Sequence, residues 1–141
     1  MNNNPDRAAD KRILLVDDER LLRETVRLLM AHLGFTVVEA NNGAEALGLF
    51  VQERFDLVVT DYEMPFLKGN ELAAKIRRMS PRQPILMMTG FGHNPGPDNP
   101  VDAVIDKPLN FARMQRMMDW LLNGGQGDLA ELFWSELNEY Y

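Results

Sequence analysis

Five short, largely apolar runs set the strongest limit on how this chain can fold: Ile13-Leu14-Leu15-Val16, Phe35-Thr36-Val37-Val38, Leu57-Val58-Val59, Ile85-Leu86-Met87-Met88 and Val101 to Ile105. Runs of this length without steady polar alternation are what strands covered on both faces look like. Between them lie stretches of helical period: Leu22, Val26, Leu29 and Leu33, then Ala44, Leu47 and Phe50, then Leu72, Ala73 and Ile76. Gly34 stands where a helix C-terminal cap belongs, and Asn42-Gly43 opens the second helix. Strand and helix therefore alternate, which predicts right-handed crossovers and a parallel sheet with helices on both sides. The fourth unit departs from the pattern. From Gly90 to Pro100, three prolines and three glycines leave room for a loop or one turn, a degenerate fourth helix. A last helix is predicted from about Asn110 to Leu122.

A chain of 141 residues suits one compact domain with its own core. We divide it into a disordered segment over 1–11, a folded domain over 12–122, a glycine-rich linker over 123–127 and an amphipathic helical tail over 128–141. In that tail Leu129, Leu132, Phe133 and Leu137 share a face. Met114, Met118 and Leu121 serve the core at helical spacing, and Met117 with Trp120 forms a neighbouring stripe that the tail is expected to cover, on its own chain or across a homodimer. The absence of cysteine excludes disulfides and zinc-thiolate sites. No apolar run approaches a membrane span, and the polar Met1 to Lys11 stretch offers no secretory signal, so the expected address is the cytoplasm. A formal charge of -6 argues against direct DNA binding.

In a parallel α/β sheet, ligands bind beyond the carboxyl ends of the strands. Those positions hold Asp17-Asp18, Asp61, Thr89 and Lys107. Alone, an Asp-Asp pair after a strand is usually turn chemistry or a helix cap. Three carboxylates within about 5 Å would repel by roughly 3 kcal/mol per pair at an effective dielectric near 20, so such a cluster calls for a cation. Mg²⁺, an oxygen-seeking ion that sits beside phosphoryl groups, fits that need. Asp61 would then be a carboxylate nucleophile, with Lys107 and the Thr89 hydroxyl set against phosphoryl oxygens. His32 and His93 lack the spacing of a metal site.

Four motifs in order now resemble the receiver domains of two-component signalling: Val16-Asp17-Asp18-Glu19, Asp61-Tyr62-Glu63-Met64-Pro65, Thr89-Gly90 and Lys107-Pro108. The resemblance spans about Arg12 to Leu122. It implies a flavodoxin-like, doubly wound five-stranded sheet of order 2-1-3-4-5. It further implies that Asp61 is the phospho-acceptor, that Asp18, Asp61 and the Glu63 carbonyl ligate Mg²⁺ with Asp17 completing the pocket, and that Lys107-Pro108 is cis. The implied protein is a single-domain response regulator, not an enzyme beyond its own aspartyl phosphate. A sensor histidine kinase or histidine phosphotransfer protein would phosphorylate it, and an unidentified downstream protein would read it.

Two positions depart from the family. Three residues before the lysine, where most receivers carry a Tyr or Phe that turns inward as the Thr hydroxyl engages phosphate, this chain has Val104; and the fourth helix is replaced by the Pro/Gly segment. These departures leave open a degenerate receiver used as an unphosphorylated protein-binding scaffold. A phosphatase of the haloacid dehalogenase type also forms an aspartyl phosphate, but it wants an aspartate where Glu63 stands. By analogy with receivers, Glu63 and Phe91 flank the path of attacking water. By the same analogy, partner docking is expected on the face made by the first helix and the loop after Lys107, where Leu21 and Leu28 lie off the core stripe with Arg20, Arg23 and Arg27 around them.

Overall fold

Alternation along the sequence becomes alternation in space in the computed structural model, which describes residues 11–90 and 99–125. The elements are β1 (Arg12–Val16), α1 (Arg20–His32), β2 (Thr36–Ala40), α2 (Gly43–Gln52), β3 (Leu57–Asp61), α3 (Gly69–Met79), β4 (Ile85–Thr89), β5 (Ala103–Asp106) and α4 (Phe111–Leu122). The five strands form one parallel sheet of order β2-β1-β3-β4-β5, the flavodoxin-like order expected. No described helix is long and apolar enough to cross a membrane.

Side chains of successive strand residues point to opposite faces, and the core splits accordingly. Ile13, Leu15, Leu57, Val59, Leu86 and Met88 pack with α1 and α4 on one side. Leu14, Val16, Val58 and Ile85 pack with Ala46 of α2 and Leu72, Ala73 and Ile76 of α3 on the other. Central strands β3 and β4 are buried at every position, which is why their sequences read as unbroken apolar runs, whereas edge strand β2 is half-covered. Each fully buried Leu or Ile contributes about 2 kcal/mol of transfer free energy.

Helix ends follow the signals in the sequence. Asn42 caps α2 by accepting from the Glu45 N–H at 2.8 Å, and Asn110 caps α4 by accepting from the Arg113 N–H at 3.1 Å. Gly34 has φ 97°, and its N–H donates to Ala31 O while Phe35 N–H donates to Met30 O, a double closure that needs a left-handed residue. Gly124 ends α4 in the same way, with Gly124 and Gly125 N–H donating to Leu121 O and Trp120 O. The first glycines of the expected linker thus serve as a helix cap.

Several packing details differ from the periodicity. Ala44 is exposed, and Ala46 carries the buried face of α2 instead. Met30, outside the expected stripe of α1, is fully buried. Met117 is buried in the core cluster with Met114, Met118 and Leu121, and Trp120 packs against it. Between β4 and β5 the described residues form no helix. The rest of the degenerate fourth helix, the segment over 1–11 apart from Lys11, and the tail over 128–141 lie outside the described residues.

Candidate functional site

The strand order brings the ends of β1 and β3 side by side, because both its neighbours in the sheet meet β1: Val16 lies opposite Ala40 and also opposite Thr60. Asp17, the first residue beyond β1, is fully buried. Its Oδ1 accepts from the Glu19 N–H at 2.9 Å, which bends the chain into α1. Its carbonyl accepts from Arg23 Nη1 at 2.7 Å, and the same guanidinium reaches Asn41 Oδ1 at 3.1 Å and Glu39 Oε1 at 3.3 Å. Arg23 is therefore a brace between the ends of β1 and β2, not part of the charged rim expected around Leu21 and Leu28. Those two leucines are exposed, as expected of residues off the core stripe.

Asp61 closes β3 and is almost fully buried. The following loop folds back tightly: Tyr62 N–H donates to Met88 O, and Gly69 N–H donates to Tyr62 O at 2.9 Å. A Cβ on Gly69 would stand 2.1 Å from the Asp61 carbonyl oxygen, so only glycine lets α3 start this close to the acidic strand end. Phe66, in the same loop, holds φ 71° with its ring 99% exposed.

Carboxylate oxygens of Asp17, Asp18 and Asp61 lie within 4.8 Å of one another. Lys107 enters from beyond β5, its Nζ 3.1 Å from Asp61 Oδ1 and 3.8 Å from Asp17 Oδ2. The second distance is an ion pair too long for a hydrogen bond, and Asp17 Oδ2 is a buried oxygen with no hydrogen-bond partner. Burial pushes the Asp17 carboxyl up to about 6; the Glu19 N–H opposes this, the Asp61 charge adds to it, and Lys107 again opposes. Asp61 is pushed up as well, by burial above all and against the pull of Lys107. One lysine thus pairs with two of the three clustered carboxylates. An orphaned buried oxygen amid a surplus of hard oxygen donors fits a small divalent cation such as Mg²⁺. Lys107-Pro108 is cis.

Thr89, fully buried at the end of β4, sits one strand further on. Its hydroxyl donates to Asp106 Oδ1 at 3.1 Å, so it is engaged away from the acidic cluster. The side chain of Glu63 is half-exposed, 3.9 Å from Lys68, and is not among the clustered carboxylates. Phe91 lies outside the described residues. Sequence reasoning missed Gly69, Arg23 and Asp106. The signals for them were a glycine closing a loop next to the acidic strand end, an arginine one turn into the first helix, and a carboxylate directly before Lys107.

A family model described as the response regulator receiver domain matches residues 13–119. The chain is 34% identical over 136 residues to response regulator MprA of Mycolicibacterium vanbaalenii, covering 90% of this chain and 59% of that protein. It is 34% identical to the response regulator receiver protein CpdR of Brucella abortus, covering 79% of this chain and 97% of CpdR. It spans only 13% of LuxN, an autoinducer sensor kinase/phosphatase of Vibrio campbellii, at 28% identity. Among solved structures, response regulator TrrA of Thermotoga maritima, crystallised with Mg²⁺ and BeF, superposes with a TM-score of 0.75 at 34% identity, covering 79% of this chain and 98% of TrrA. The same protein has been solved in complex with histidine kinase ThkA.

Proposed function

Because this chain belongs to the response regulator receiver family, we propose that it is a response regulator receiver that accepts one phosphoryl group on Asp61. The observation that carries this is the convergence of the Asp17, Asp18 and Asp61 carboxylates on one pocket with Lys107 Nζ 3.1 Å from Asp61 Oδ1. A carboxylate oxygen of Asp61 attacks the phosphorus of a phosphohistidine on a sensor histidine kinase or a histidine phosphotransfer protein. The new O–P bond forms as the P–N bond breaks, and the imidazole nitrogen keeps the electron pair and takes a proton from water. Lys107 holds positive charge beside the reacting oxygen and follows it onto the phosphoryl group.

Asp17, Asp18, Asp61 and the backbone carbonyl of Glu63 are the residues we assign to holding Mg²⁺, which supplies charge that offsets the carboxylates and the incoming phosphoryl oxygens. Asp17 also fixes the pocket's shape through the β1–α1 turn, its Oδ1 accepting from the Glu19 N–H. Reversal is hydrolysis: water attacks phosphorus and inorganic phosphate leaves, returning Asp61. In this role the chain has no substrate beyond its own aspartyl phosphate, and a receiver domain is not a conventional enzyme. The expected setting is the cytoplasm, with a downstream protein reading the phosphorylated surface. The exposed Leu21 and Leu28 on α1 are the proposed docking centre for the phosphodonor.

Incubation with Mg²⁺ and acetyl phosphate is expected to add the mass of one phosphoryl group. The Asp61→Asn variant should gain none, because the amide keeps the shape and loses the nucleophile. Full labelling of that variant, or none of the parent protein with any small phosphodonor, overturns the assignment.

A further inference from the structure

We propose that Asp106 is a positioning residue for the phosphoryl site, holding the Thr89 hydroxyl out of it until an incoming phosphoryl group takes that hydroxyl over. This inference rests on the acceptor role given to Asp61 above. Thr89 and Asp106 are the last residues of β4 and β5 and lie directly opposite each other in the parallel register. Two bonds join the strands here: Lys107 N–H donates to Thr89 O at 2.8 Å, and the Thr89 hydroxyl donates to Asp106 Oδ1 at 3.1 Å. Thr89 is fully buried while Asp106 is exposed, so the carboxylate draws the hydroxyl toward the sheet's outer end.

A hydroxyl carries a single proton and donates to one acceptor at a time. Thr89 cannot serve Asp106 and a phosphoryl oxygen together. Phosphorylation is therefore an exchange of acceptors, in which the hydroxyl leaves one anion for another. The Asp106 carboxylate is then released to solvent, and β4 and β5 keep their main-chain bond at this level without the side-chain one. Val104, two residues earlier on β5, has no ring to move and no polar atom to signal with. Asp106 supplies on the same strand a side chain whose partner depends on the state of Asp61.

The test is a double-mutant cycle read by beryllofluoride affinity in the presence of Mg²⁺ and by the decay rate of the phosphorylated protein. Removing the competing acceptor in Asp106→Ala is expected to tighten beryllofluoride binding roughly tenfold, the scale of a hydrogen bond to a charged group. Asp106→Asn, which keeps an acceptor oxygen without the charge, should fall between the two and guards against a folding defect in the alanine variant. In a Thr89→Ala background the same Asp106 substitutions should have no effect, because there is no hydroxyl to compete for. Equal affinities across the series, or an effect that persists in full without Thr89, overturns the inference. A parent protein that neither binds beryllofluoride nor labels with acetyl phosphate would instead overturn the acceptor role itself.

Discussion

Both ends of the sheet are crowded with charge, and they treat it in opposite ways. At the amino end, Asp56 accepts from the Arg12 N–H at 2.7 Å and lies 4.0 Å from Lys11 Nζ, while Glu53 pairs with the Arg12 guanidinium. Asp102 Oδ2 accepts from both Ile85 N–H and Arg77 Nη2, and Arg77 also holds the Pro81, Gln83 and Pro100 carbonyls. Every one of these carboxylates has a cation from its own chain. At the carboxyl end, three carboxylates cluster, two of them sharing Lys107, one oxygen is left orphaned, and two of the groups are held above their ordinary pKa. Charge that only supports a fold is neutralised within the fold; charge left in surplus is held for something that arrives from outside.

The comparison makes a prediction of sign. Without metal, Asp61→Asn removes repulsion and should raise stability, whereas Asp102→Asn weakens a satisfied network and should lower it. The gap between the two variants is expected to be about 3 kcal/mol by urea unfolding. If both variants move in the same direction, the two ends are not built on different rules. Gly69→Ala probes how tightly the acidic end is packed. A Cβ 2.1 Å from the Asp61 carbonyl forces α3 away, and we expect a loss of about 2–3 kcal/mol together with slower labelling. Parent-like labelling would show that the loop tolerates the shift.

A third measurement separates the ends by pH. The folded-state pKa of Asp17 is raised from 3.8 to about 6, so between those values the folded protein holds a proton that the unfolded chain has lost. The stability from this group is therefore complete below about pH 4 and is lost as pH rises through 6, about 3 kcal/mol in metal-free protein. Asp17→Asn should flatten that slope and saturating Mg²⁺ should compensate it; a metal-free profile that rises over the window would contradict the assignment. The smallest expected effect is at Phe66. Phe66→Gly relieves a left-handed aromatic residue and should add at most about 1 kcal/mol to stability, with labelling by acetyl phosphate unchanged. A fall in stability would mean that the exposed ring contributes packing.

The fold was legible because its central strands carry the signal themselves. Leu57-Val58-Val59 and Ile85 to Met88 read as apolar runs since both faces of those strands are covered, and helix ends were announced by Gly34, Asn42 and Asn110. Asp17, Asp18, Asp61 and Lys107 were legible as one cluster because a parallel sheet gathers such residues at its strand ends, whereas the Thr89 hydroxyl turns to Asp106. Long or short polar side chains were not. Nothing in the sequence says that Arg23 turns inward to the Asp17 carbonyl instead of outward beside Leu21, since an arginine stem reaches either way. Asp106 drew no reading from the sequence, and only the register sets it opposite Thr89. Ala44 and Met30 show the limit of periodicity on short helices, where a shift of one position still satisfies the pattern.

Strand order has a further consequence for how the chain matures on the ribosome. Asp17 and Asp18 emerge early, but their partner Asp61 comes only with β3, which lies beside β1 on the edge opposite β2. Lys107 arrives later still, beyond β5. A nascent chain that has released α1 and β2 therefore displays two acids and no cation pocket. Affinity for a divalent ion is a property of the completed sheet, and by mass action such an ion stabilises the finished domain over every shorter intermediate.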